Sequence, residues 1–449
     1  MQFAYNVLFI IAFVLASPYY LWRMLRRGNW AEGFGERFAG YTPDLRQALT
    51  NRHVVWIHAV SVGEVNLCTQ LIYVLEPRAP NVKFVVSATT TTGMEKLRQL
   101  PARISKIYYP IDRKKYADHA LAVMNPQAFI LVEAEIWPNF LWRAHKLKIP
   151  VFLANARLSE RSFRGYKRFG FLFRPLFAGF AGVGTQNEED ADRLLAVGCR
   201  REAVRVVGNM KFDTAMFTTD RRLDAVKMLR QIGVTEEALV VVAGSTHEGE
   251  EILLAEMCQR LRKRFPKLFL VLVPRHFERC KDVGRKLKEA GVKFALRSNI
   301  NFMVTFPPGE LECLLVNTTG ELRFFYETAT VVFIGKSLTA QGGQNPIEAG
   351  VLGKPVVFGP HMENFTDIAR NFVAAKAAVQ VADAAGLEAE LADLLANPER
   401  RAELGRQAAG VIQQNNGAVE RTAEMILAHL KLRGVYVAPE KTAGRRLPA

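Results

Sequence analysis

Residues 54–64 read V-V-W-I-H-A-V-S-V-G-E. The apolar run from Val54 reads as a buried strand, and Ser61, Val62 and Gly63 break its pattern. Glu64 then opens an apolar-periodic run (Val65, Leu67, Leu71, Ile72, Leu75) that predicts a helix. A carboxylate placed just after a strand, at a glycine turn into a helix, lies at the rim where open α/β sheets bind ligands. The helix dipole stabilises its negative charge, which leaves it ionised and able to accept a proton. The same placement suits a plain helix cap, because acidic residues are common in first turns. From this stretch alone both readings stand.

Outward from it, strands and helices alternate. Strands are expected at 54–60, 83–87, 128–132, 150–154 and 203–207, with helices at 64–76, 92–100, 136–146 and 187–197. A charged, helical connection from Thr214 to Thr235 leads to a second series. Its strands are expected at 239–243, 268–273, 292–296, 313–316, 330–334 and 355–358. The intervening helices are expected at 248–264, 277–290, 320–328 and 345–352, and helices fill 383–432. Short apolar runs alternating with helices indicate parallel sheets. The stretch L-V-V-V-A-G-S-T-H-E-G-E at 239–250 echoes 54–64: strand, small polar turn, acidic helix start. The expected fold is therefore α/β, with two Rossmann-like domains facing a central cleft.

The amino terminus adds a third part. Phe3 to Trp22 carries no charge, and about twenty such residues suffice to span a bilayer as a helix. A charged region before the apolar core and an A-x-A site after it are both missing, which argues against a cleaved signal. Arg23, Arg26 and Arg27 follow at once and place the remainder in the cytoplasm. Pro18 and Tyr19-Tyr20 shorten the clean apolar core, which also fits a shallow or tilted anchor. The expected division is an anchor at 1–22, a first domain at 23–213, a second at 214–433 and a loose tail at 434–449.

Lys and Arg outnumber Asp and Glu by 60 to 44, which points to an anionic partner. The five cysteines are scattered and never form C-x-x-C, so neither a disulfide framework nor a zinc site is expected. The stretch 161–180 interleaves five cations (Arg161, Arg164, Lys167, Arg168, Arg174) with aromatics and contains no acid. Beside an anchor it suits a lipid surface, with a nucleic-acid face and a packed amphipathic helix as the other readings. The only D-x-D, Asp190-Ala191-Asp192, lies in an acidic helical run, and His247-Glu248 lacks the second histidine of a zinc motif; metal-independent chemistry is expected.

Four stretches can carry anion binding. Arg275, in L-V-P-R-H-F at 272–277, follows a strand and can fork onto phosphate oxygens or simply be solvated. Thr318 or Thr319 caps a helix in L-V-N-T-T-G-E-L-R at 315–323. In G-G-Q-N-P-I-E-A-G, Gly342 and Gly343 permit close backbone approach, Pro346 suits a first helical turn, and Glu348 is placed for ribose hydroxyls. Lys211, in G-N-M-K-F-D, is either a linker residue or a point charge for phosphate.

Together these stretches resemble the 3-deoxy-D-manno-octulosonic acid (Kdo) transferases, membrane-anchored inverting glycosyltransferases of the GT-B fold that act in lipopolysaccharide synthesis. The resemblance covers nearly the whole chain. It rests on G-E-R-F at 35–38, S-V-G-E at 61–64, E-x-E-I-W-P-N at 133–139, N-A-R-L-S-E-R-S at 155–162 and Q-N-E-E-D at 186–190. It continues through K-F-D at 211–213, S-T-H-E-G-E-E at 245–251, P-R-H at 274–276, G-E-L at 320–322 and N-P-I-E-A at 345–349. It implies CMP-Kdo as donor, no cofactor, a phosphorylated lipid A precursor as acceptor, and contact with inner-membrane lipids rather than nucleic acid. Glu64 would be the proton acceptor, with Glu133 and Lys211 as transition-state stabilisers. Pro274 and Arg275, Thr319, Gly320 and Glu321, and Asn345, Pro346, Ile347 and Glu348 match the CMP-binding positions. Lys336, Gln341 and Gln344 depart from the residues usual in that family. Two other readings remain open on the residues themselves: an enzyme using a uridine nucleotide sugar, and a basic, membrane-tethered binding protein.

Overall fold

The structure, a computed structural model, describes residues 2–27, 33–133, 136–216, 223–301 and 303–439. The side chains of Arg23, Arg26 and Arg27, residues 28–32, Glu135, 217–222 and the tail from 440 lie outside the described residues.

The chain forms two compact units, one comprising 1–214 with 416–448 and the other 215–415. In the first, seven parallel strands run β1 (His53–Ala59), β2 (Val82–Ala88), β3 (Ser105–Tyr108), β4 (Pro126–Val132), β5 (Val151–Ala156), β6 (Gly182–Thr185) and β7 (Val204–Val206). Their spatial order is β3-β2-β1-β4-β5-β6-β7. The run at 54–59 is apolar except for His58, which is buried against Ser87, because helices cover both faces of the sheet. Val55, Ile57 and Ala59 face one core, with the helix Val62–Arg78. Val54 and Trp56 face the other, with the helices Lys114–Met124 and Pro138–Lys146. Trp56 is fully buried, and its Nε1–H donates to Ser87 Oγ at 2.8 Å, so the ring carries no unpaired polar atom into the core.

The second unit repeats the plan with β8 (Leu239–Thr246), β9 (Leu268–Pro274), β10 (Phe294–Leu296), β11 (Cys313–Leu315), β12 (Val331–Ile334), β13 (Val356–Phe358) and β14 (Ala378–Gln380). Their order is β10-β11-β9-β8-β12-β13-β14, again all parallel. The two echoed stretches thus hold equivalent places: β1 and β8 are the central first strands, each flanked where the strand order reverses.

Two boundaries differ from the sequence expectation. The helix Ala418–Leu432 belongs to the first unit, not the second: Ala418, Val419, Ala423, Ile426, Leu427 and Leu430 lie in the core beside the helix after β1. Its first turn is held by the buried Asp213, which accepts from Gly417 N–H at 2.5 Å and Val419 N–H at 2.7 Å. The expected loose tail is also ordered at its start. Val435 is buried, and Ala438 N–H donates to Arg78 O at 2.7 Å.

The apolar amino-terminal segment is one helix, Gln2–Arg27, of which Gln2–Tyr19 is long and apolar enough to cross a membrane. Its amino end is tied to the first unit. Tyr5 O–H donates to Asp112 Oδ2 at 2.7 Å, the Asn6 and Asn139 side-chain amides exchange hydrogen bonds, and the Tyr5 ring meets Trp142 edge-on.

Candidate active site

In the first unit the strand order reverses between the two neighbours of β1, and the loops after β1 and β4 flank that point. Glu64 stands in the first turn of the helix after β1. Its Oε2 accepts from Val60 N–H at 2.7 Å and its Oε1 from Ser61 O–H at 2.8 Å, while Ser61 Oγ caps Glu64 N–H at 3.4 Å. This is a variant of the capping box, with the carboxylate on the N–H before the cap residue, so the cap reading is correct as local geometry. The carboxylate is only half-buried. Capping and proton acceptance are therefore compatible in one side chain.

Glu133 follows β4 directly and adopts a left-handed backbone, φ 60°, an uncommon state for a non-glycine residue. Its N–H is fixed by Ala154 O at 2.9 Å. Lys211 Nζ lies 3.0 Å from Glu133 Oε1, an ion pair about one quarter exposed on either side. It is a contact of charges rather than a directed hydrogen bond. The structure thus joins two candidates far apart in sequence.

What places Lys211 was not visible beforehand. Buried Asn155, at the end of β5 with φ 53°, accepts from Met210 N–H at 2.9 Å. Gln186 Nε2–H donates to Asn155 O at 3.1 Å and Gln186 Oε1 accepts from Asn209 Nδ2–H at 2.8 Å. Asn209 Oδ1 then accepts from Lys211 N–H at 3.0 Å. Three amides from the ends of β5, β6 and the loop after β7 form the seat of the lysine. The only sequence signal was that Asn155 and Gln186 open two of the recurring motifs.

In the second unit the expected anion-binding residues all fall after the carboxyl ends of parallel strands. Pro274 ends β9, and exposed Arg275 follows it with its N–H on Thr246 O at 3.0 Å. Thr319 and Gly320 are exposed in the loop after β11, where Gly320 takes φ 81°. Glu321 is engaged within the protein: its carboxylate accepts from Thr318 O–H and pairs with Arg297 at 3.0 Å. The short helix Ile347–Val351 begins behind Pro346, and Asn345 Oδ1 accepts from Ile347 N–H at 3.1 Å. Glu348 loses hydration there, which raises its pKa, while Arg323 and Arg275 oppose that rise. Arg275 and Glu348, from separate stretches, therefore sense each other. His247, after β8, is lowered to about 4 by burial and then by Lys336, His276, Arg279 and Arg275. Lys336, Arg275 and Arg279 therefore lie close enough to His247 to act on it electrostatically. Among the described residues, no group of three or more His, Cys, Asp and Glu could hold a metal ion.

Two doubly wound sheets, an acid at the reversal point of one and cations at that of the other, define a GT-B-like α/β fold. UDP-GlcNAc 2-epimerase from Neisseria meningitidis, solved bound to UDP-GlcNAc, shares the fold with a TM-score of 0.56 at 16% identity, over 84% of this chain and 100% of that one. The 3-deoxy-D-manno-octulosonic acid transferase of Bordetella pertussis is 32% identical over 419 residues, covering 91% of this chain and 94% of that protein. The enzyme of the same description from Haemophilus influenzae is 30% identical over 379 residues, 84% and 87% of the two chains. Residues 32–214 match the family model for 3-deoxy-D-manno-octulosonic-acid transferase (kdotransferase). The chain belongs to the Kdo transferase family.

Proposed function

We propose that the enzyme transfers Kdo from CMP-Kdo to a phosphorylated lipid A precursor in lipopolysaccharide synthesis, by a single inverting displacement without a metal or cofactor. The acceptor hydroxyl oxygen bonds to the donor's anomeric carbon, and its proton passes to Glu64. The bond from that carbon to the phosphate oxygen breaks, and its electron pair leaves on CMP. Negative charge grows on the departing phosphate, where preoriented cations are worth most. Arg275 supplies such a charge to the nucleotide, with Pro274, Thr319 to Glu321 and Asn345 to Glu348 as the rest of the CMP site. Lys211, held by Glu133, stabilises the transition state.

The observation that carries this reading is the half-buried Glu64 carboxylate, oriented by Val60 N–H and Ser61 O–H at the reversal point of the first sheet. Its test is Glu64→Gln, which keeps the cap's shape. Turnover of CMP-Kdo and lipid A precursor should fall by about 10²–10⁴-fold with CMP binding retained. Turnover near the wild-type rate would remove Glu64 as the base, and competition by UDP rather than CMP would favour a uridine donor.

The lipid acceptor fits the surface of the first unit. On the helices Glu160–Arg168 and Gly170–Ala178, Arg161, Arg164, Lys167, Arg168 and Arg174 are exposed, and so are Phe169 and Phe171 (48% and 68%). Cations for lipid phosphates beside aromatics for the acyl boundary suit an inner-membrane surface with the body in the cytoplasm. The hydrogen bonds of Tyr5 and Asn6 keep the amino end of the apolar helix against that body. This favours the shallow anchor over a full crossing, because a spanning helix would carry those two residues to the far side.

A further inference from the structure

In the second unit, the echo of Glu64 is Glu250, and its carboxylate is used differently. Glu250 is fully buried. Its Oε2 accepts from His247 N–H at 2.9 Å and Lys336 N–H at 2.7 Å, and its Oε1 from Ser337 and Leu338 N–H, both at 3.0 Å. Four amides from the loops after β8 and β12 thus converge on one side chain. The loops can close this tightly because residue 335 is glycine: a Cβ there would stand 2.5 Å from Thr246 Cα.

The turn so held contains a residue in an unfavourable state. Lys336 has φ 57°, where a lysine is strained and a glycine would be at ease. Strain of this kind persists only where the surroundings over-determine it. The Lys336 ammonium has no ion-pair partner among the described residues. It lies beside the backbone of Gly342, since a Cβ built on that glycine would be 3.2 Å from Nζ. It also adds to the positive potential at His247 together with Arg275. The nearby buried acids are already engaged, Glu250 by the four amides and Glu251 by Arg279 and Thr246.

We propose that Lys336 binds an oxyanion of the sugar-nucleotide donor, and that Glu250 is the positioning residue that holds it there through the Gly335–Leu338 turn. This rests on the CMP-Kdo reading above. That donor offers two oxyanions, the phosphate and the sugar carboxylate, whereas free CMP offers only the first.

The test compares Lys336→Met, Lys336→Gly, Glu250→Gln and the Lys336→Met/Glu250→Gln double variant in the full-length enzyme. Donor KM, inhibition by CMP and thermal melting are measured on each. Lys336→Met should raise donor KM about tenfold or more, the loss expected for one charge-assisted contact, at an unchanged melting temperature. Lys336→Gly should lose the same affinity while melting higher, as strain is relieved. If CMP inhibition weakens in parallel with KM, the oxyanion is the phosphate; if only KM changes, it is the carboxylate. Glu250→Gln turns one acceptor oxygen into a donor facing amide N–H groups, and should raise donor KM similarly. The double variant should be no worse than the poorer single one, since both act on one contact. Wild-type KM in both Lys336 variants would overturn the proposal, whether or not Glu250→Gln folds. Additive losses in the double variant would overturn the positioning role. Absence of turnover in the wild-type enzyme would instead refute the donor assignment, so the two failures are distinguishable.

Discussion

Glu64 and Lys211 are both partly exposed, and in each case a neighbour orients the charge. Glu64 accepts from Val60 N–H and Ser61 O–H. Lys211 touches Glu133 at 3.0 Å. An ion pair at this exposure contributes about 1 kcal/mol or less to stability. Its charge in a transition state matters far more. Lys211→Met is therefore expected to melt close to the wild type while kcat falls by about 10²-fold, measured with saturating donor. A large fall in melting temperature with kcat preserved would make Lys211 structural. Glu64 itself was legible in the sequence, because a strand, a glycine turn and an acid are adjacent. Lys211 was legible as a linker residue or a point charge for phosphate, but its pairing with Glu133 was not, because what seats it comes from three strands distant in the chain.

Among the elements, the amino-terminal helix is fastened by the least expected group. Burial raises the pKa of Asp112 to about 6, opposed by hydrogen bonds from Tyr5, Asn139 N–H and Phe140 N–H. The folded value lies above the unfolded one, so the native state binds this proton more tightly. The resulting stability is fully present below pH ~4 and is lost as pH rises through about 6. Urea titrations from pH 4 to 7 should show a downward slope of on the order of 2–3 kcal/mol, which Asp112→Asn removes. An identical slope in that variant would assign the pH dependence elsewhere. Three short strands are not legible in the sequence: β3 is S-K-I-Y, β6 is G-V-G-T and β14 is A-V-Q. Equally short β10, β11 and β13 are wholly apolar and do read as strands, whereas lysine, glycine or glutamine in four residues or fewer leaves too little apolar pattern.

At the scale of the molecule, the chain completes its first unit only after making its second. The helix Ala418–Leu432 returns to the face of the first sheet and is capped by Asp213. A chain ending at Asn415 would keep every strand of both sheets but leave that apolar face uncovered. Calorimetry is expected to show the transition of the second unit preserved and that of the first lost or greatly lowered. Two intact transitions would mean that the returning helix adds little.

By itself the sequence determined the α/β plan, the two successive domains, the apolar amino-terminal segment and the strand-to-helix turn that carries Glu64. All of these are written in short-range patterns: continuous apolar runs for strands buried on both faces, glycine and serine at turns, acids at helix starts. Tertiary structure alone decided which unit owns the last helix, which carboxylate is buried and which is half-exposed, and which cation meets Glu133. Glu64 and Glu250 follow similar stretches, yet one is half-buried beside Val60 N–H and Ser61 O–H while the other is fully buried under four amides. Local sequence places a side chain on an element. The strand order then determines which distant backbone and charge it meets, and so its chemistry.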